Sequence, residues 1–85
     1  MITTIHIKTA IETALSGSTA IIQGDDGVHF DAVVIAEQFT GISKVKQQQL
    51  VYQALHDAFR SGELHALALK TYTPTEWDLQ RSQQP

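Results

Sequence analysis

The chain has 85 residues, enough for one domain and no second. It is 42% hydrophobic and 18% charged, with five glycines and two prolines, which excludes disordered, collagen-like and coiled-coil classes. Six Lys+Arg against nine Asp+Glu give a net charge of −3, the wrong sign for a chain that holds nucleic acid by charge alone. Cysteine is absent, so disulfides, a thiol nucleophile and an all-protein thiolate metal site are excluded. No apolar run approaches the ~20 residues that span a bilayer, and the opening MITTIHIK lacks a secretory signal's pattern. These features point to a cytoplasmic protein with no membrane partner. Four histidines are the one chemical oddity, since imidazole is the commonest neutral metal ligand.

In chain order, Ile7, Ile11, Ala14 and Leu15 share one helical face, predicting a helix over Thr4–Ser16 capped by Thr3 or Thr4. Thr19–Gly24 and Val28–Ala36 are rich in β-branched residues and flank Asp25-Asp26-Gly27, a hairpin signal whose turn residues should both tolerate φ > 0. The second strand is nearly continuously apolar after Asp31, as a central strand is. Gln38–Ile42 reads as a loop. From Ser43, a plausible N-cap, Leu50, Val51, Ala54, Leu55, Ala58 and Phe59 form an apolar stripe. Lys44, Lys46, the glutamines 47–49, Gln53 and Asp57 take the polar face, and Gly62 ends the span. Periodicity leaves open whether positions 43–61 form one helix or two. Leu64–Tyr72 is the third strand. Thr73-Pro74-Thr75-Glu76 then opens a last helix with a capping-box arrangement. Residues 81–85 are polar and read as a disordered tail after a single domain over 1–80.

The resulting order, α-β-β-α(α)-β-α, is an α+β domain with helices covering one face of a three-stranded sheet. If strands two and three are neighbours, the helical crossover makes them parallel, and their starts share one edge. His29 and His65 open those strands. Two histidines remote in sequence are thus brought to one rim, close enough to ligate one metal centre. Strict alternation puts them on opposite faces, a constraint that strand ends relax. His6 and His56 read as solvated. There is no Ser-His-Asp arrangement, P-loop, His-Glu-x-x-His or paired carboxylate with a visible perturbing environment, so the chain does not read as an enzyme.

Two stretches carry a family resemblance. Phe39-Thr-Gly-Ile-Ser-Lys-Val-Lys-Gln-Gln-Gln-Leu-Val-Tyr52 and Glu63-Leu-His-Ala-Leu-Ala-Leu-Lys-Thr-Tyr-Thr-Pro-Thr-Glu-Trp77 closely resemble the BolA family. Gly24-Asp-Asp-Gly-Val-His29-Phe30 is similar to its IbaG-like branch, which carries histidine in the hairpin loop. The resemblance implies a class II KH-like fold, with the long helical span broken near Tyr52–Ala54. It implies a role in iron–sulfur assembly or trafficking, iron homeostasis and stress response. The implied partners are a monothiol glutaredoxin and glutathione, whose thiols hold one side of a shared two-iron, two-sulfur cluster. His29 and His65 are the residues matching the family's metal-binding positions. The resemblance leaves a homodimer of the free chain open. A second implied class is a DNA-binding regulator using the KH-like helices around Lys44 and Lys46. Gly41-Ile42-Ser43-Lys44 lacks the second glycine of a nucleic-acid-clamping KH loop.

Overall fold

The computed structural model describes residues 2–83. Thr3 caps the first helix, its side chain accepting the His6 N–H at 3.1 Å, and α1 runs Thr4–Ala14. It ends two residues before the predicted Ser16, and Gly17 takes the left-handed conformation (φ 82°) that turns the chain into the sheet. Strands β1 (Thr19–Gln23) and β2 (His29–Ile35) pair antiparallel. β3 (Ala66–Tyr72) then adds parallel to β2, giving the order β1-β2-β3 with β2 in the centre. The central position is the one its apolar run requires.

Ser43 caps α2 (Lys44–Ala54), accepting the Lys46 N–H, and a short α3 follows over His56–Ser61. The helical span is therefore two helices. The break falls at Leu55, one residue past the expected segment, with φ −104° and ψ 13°. No proline or glycine causes it; Leu55 is buried, and its N–H bonds to both Val51 O and Tyr52 O. Before α2, Glu37–Phe39 forms a 3-10 turn that begins one residue ahead of the expected loop, Gln38–Ile42, and sets Phe39 into the core.

One face of the sheet is covered. Phe30 and Val34 of β2 pack with Ile7 and Ile11 of α1, Val51 and Leu55, Phe39 and Leu64. Both sheet edges are also blunted by helix side chains. On the β1 side, Glu12 accepts the Ala20 N–H at 2.9 Å, and Lys8 donates to the Ala20 carbonyl at 2.9 Å. On the β3 side, the Lys44 ammonium donates to the Thr71 carbonyl.

The capping box at Thr73 forms as expected, with Glu76 accepting the Thr73 N–H at 2.8 Å. It opens α4 (Pro74–Ser82), where Trp77 packs on Tyr72 at 5.4 Å between ring centroids. The helix continues two residues into the segment expected to be a disordered tail. Arg81 pairs with Asp78 at 2.8 Å, and the Ser82 hydroxyl donates to the Leu79 carbonyl, so the last turn is tied down. Positions 84–85 of that tail lie outside the described residues.

The Lys8–Glu12–Ala20 clasp carries a pH prediction. The bond from Lys8, then that from the Ala20 N–H, holds the Glu12 carboxyl below its ordinary value of 4.5. A depressed carboxylate stabilises the fold above its unfolded pKa, and that contribution is lost as pH falls through the folded value. The stability difference between the wild type and Glu12→Gln is therefore expected at pH 7 and should vanish in strong acid. Urea denaturation of both proteins across that range measures it; a difference that grows on acidification contradicts the clasp.

Candidate metal-ligating edge

Parallel register sets His29 directly opposite Ala66, the residue after His65. The two histidines are thus separated by about one strand spacing, ~4.8 Å, across the sheet and one residue, ~3.3 Å, along it. Both are exposed. His65 lies one residue before Ala66, the first residue of β3, and His29 is the first residue of β2. Leu64 is the anchor, buried in the core with its N–H donating to the Ala58 carbonyl. The crossover helices thereby deliver His65 to the start of β3.

His29 is held by the hairpin loop, and here the expected turn is corrected. Residues 24–28 form a wider loop, not a two-residue turn, and only Gly27 adopts positive φ (74°). Asp26 acts through its side chain. Its Oδ1 accepts the N–H groups of Val28 and His29, each at 2.8 Å, in the arrangement aspartate uses to stabilise turns. Its Oδ2 lies 2.8 Å from His29 Nδ1. The bond to the His29 ring, then those from the His29 and Val28 N–H groups, hold the Asp26 carboxyl well below the usual carboxylate range. Gly24 closes the loop tightly: a Cβ there would stand 2.7 Å from the His29 carbonyl oxygen. Sequence reading assigned Asp26 to the turn and missed its bond to His29. The available signal was its spacing, since an aspartate side chain reaches the N–H two residues on.

Lys44 and Lys46 are not presented together. Lys44 reaches back over the sheet, donating to Thr71 O and to Glu76 Oε1 at 3.2 Å, with its ammonium 5.0 Å from the Tyr72 ring centroid. Lys46 is exposed on the first turn of α2. Lys44 therefore joins α2, β3 and α4, a contact between elements that the amphipathic pattern does not encode.

With this arrangement of four helices around a mixed three-stranded sheet, comparison with known proteins becomes specific. A family model described as BolA-like protein matches residues 4–76. The chain belongs to the BolA-like family. It is similar to the acid stress protein IbaG of Escherichia coli (strain K12), 39% identical over 72 residues that cover 85% of this chain and 84% of that one. The solved structure of a bolA protein homologue from Coxiella burnetii superposes with a TM-score of 0.81 at 48% identity, covering 92% of this chain and 99% of that one. A relative in Haemophilus influenzae, named DNA-binding transcriptional regulator BolA, is 39% identical over 57 residues, 67% of this chain and 54% of that protein.

Among the described residues no three His, Cys, Asp or Glu side chains gather to hold an ion. His29 and His65 contribute two imidazoles at one end of the sheet, so a metal held by both would need its remaining ligands from elsewhere. No helix among the described residues is long and apolar enough to cross a membrane.

Proposed function

We propose that this BolA-like protein acts as an adaptor in iron–sulfur cluster handling, sharing a two-iron, two-sulfur cluster with a monothiol glutaredoxin. The observation that supports the reading is the parallel register that brings the backbones of His29 and His65, both exposed, to one end of the sheet in a chain without cysteine. Imidazole is a chemically sound ligand here, since two histidines replace two thiolates on one iron in Rieske centres. His29 and His65 would hold one iron, and the partner's cysteine and a glutathione thiol the other. Such a cluster supplies a one-electron redox centre or a transferable cargo. The residues of this chain bind and orient it.

The nucleic-acid reading has less support. The chain is acidic, and Lys44 is engaged with Thr71 and Glu76, which leaves a phosphate backbone little concentrated positive charge to meet.

The test is reconstitution with monothiol glutaredoxin, glutathione, iron and sulfide. The expected product is a coloured heterodimer, with visible absorption and circular dichroism unlike those of the glutaredoxin's own cluster-bridged dimer. The BolA-like chain alone should hold no stable cluster. A colourless mixture of two folded proteins refutes the reading.

A further inference from the structure

The pair of side chains Asp26 and His29 goes beyond presenting an imidazole at an edge: it selects which nitrogen of that imidazole is free. The Asp26 carboxylate is clamped by two main-chain N–H groups on Oδ1, at 2.8 Å each, which leaves Oδ2 fixed in place. An ionised carboxylate can only accept hydrogen bonds. The 2.8 Å contact between Oδ2 and His29 Nδ1 therefore requires the ring proton to sit on Nδ1. A neutral imidazole carrying that proton has its lone pair on Nε2, across the ring, on a side chain that is 73% exposed. A freely hydrated imidazole prefers the opposite arrangement, with the proton on Nε2. The loop thus holds His29 in the tautomer that a hydrated ring disfavours.

We propose that Asp26 is a positioning residue that locks His29 as the Nδ1–H tautomer, making Nε2 the atom that ligates the shared cluster. Carboxylates placed behind ligating histidines act in this way at many metal sites, setting tautomer and ring orientation together. The ligation half of the proposal rests on the cluster reading above; the tautomer half does not. The geometry also assigns a purpose to the wide loop. A two-residue turn has no residue placed to receive both main-chain N–H groups and the ring. In this loop Asp26 lies three positions before His29 and receives all three.

Asp26→Asn is the discriminating substitution. Asparagine keeps an acceptor oxygen for the Val28 and His29 N–H groups, so the loop is retained. It replaces Oδ2 by an amide donor, which demands an unprotonated Nδ1 and moves the proton to Nε2. Long-range 1H–15N correlation spectra of the free protein, at about pH 8 and so above the ordinary histidine range, read the tautomer of each ring. Wild-type His29 should show the Nδ1–H pattern, while His56, exposed on α3, should show the Nε2–H pattern as an internal control. Asp26→Asn should convert His29 to the Nε2–H pattern and leave His56 unchanged. Wild-type His29 in the Nε2–H form, or an unchanged pattern in Asp26→Asn, overturns the lock.

The second arm is cluster retention in the heterodimer with glutaredoxin. Loss of a carboxylate behind a metal-bound histidine typically costs 10–100-fold in affinity, and at this exposed edge about 10-fold faster cluster loss is expected for Asp26→Asn. Asp26→Ala removes acceptor and loop bonds together and should fall at least as far. A switched tautomer with unchanged retention refutes the positioning role, leaving only a structural turn. If the wild type forms no cluster, the functional reading fails and the role of Asp26 in positioning a ligand with it, while the tautomer spectra still report the lock.

Discussion

His65→Ala is expected to abolish the heterodimer's visible dichroism, or to collapse it onto that of the glutaredoxin's own cluster dimer. His56→Ala should leave it unchanged. Both residues are exposed, and neither belongs to the core, so each substitution should cost less than about 0.5 kcal/mol of stability. The comparison therefore isolates ligand chemistry from folding. His29→Ala should alter the spectrum as well. Its effect should be graded with that of Asp26→Asn, because both act on the same nitrogen, whereas His65→Ala removes the ligand set by β3. Thermal unfolding of each free variant fixes the folding control. Indistinguishable spectra for His65→Ala and His56→Ala would show that the sheet edge is not where the cluster is held.

How far these residues were legible depends on whether the forces placing them are local. Thr3, Ser43 and Thr73 cap their helices as read, because a capping bond spans only three residues. The strands were legible from β-branched runs, and the common end of the sheet for His29 and His65 followed from parallel pairing across one helical crossover. Two features required contacts that no window of sequence contains, and a third turned on where the hairpin stops pairing. Leu55 breaks the helical span while its side chain sits in the core, with nothing in its own residue type to announce it. Lys44 looks like half of a basic cluster until β3 and α4 are packed beneath it. The Asp26-Gly27 pair reads as a tight turn, yet β1 and β2 stop pairing at Gln23 opposite Asp31, and the wider loop lets the aspartate side chain do the turning. Asp26 was thus read as a turn residue, and its three-residue spacing to His29 went unused.

Gln47 is the largest departure from the amphipathic pattern, and replacing it should be the most damaging polar substitution in the helices. It was placed on the polar face with Gln48 and Gln49, but it is only 3% exposed. Its amide donates to the carbonyls of Phe39, at 3.1 Å, and Ile42, at 3.0 Å. Its Oε1 accepts from the buried Thr71 hydroxyl at 2.8 Å. One side chain thereby ties the segment before α2 to the edge strand β3, satisfying groups that water cannot reach. Leaving a buried polar group without its partner costs about 1–3 kcal/mol, and truncation adds the cost of a cavity. Gln47→Ala should therefore destabilise the domain by roughly 2–4 kcal/mol. For a chain of this size the whole stability is only about 4–13 kcal/mol, and each kcal/mol lowers Tm by ~4–8 °C. Gln47→Met, similar in volume but unable to donate, separates the two contributions: it should retain most of the loss if the hydrogen bonds dominate. Gln49→Ala, exposed on the same helix, should stay within about 0.5 kcal/mol of the wild type. Urea and thermal denaturation of the three variants decide the matter. A Gln47→Met protein as stable as the wild type would mean that Gln47 fills space in the core without contributing through its hydrogen bonds.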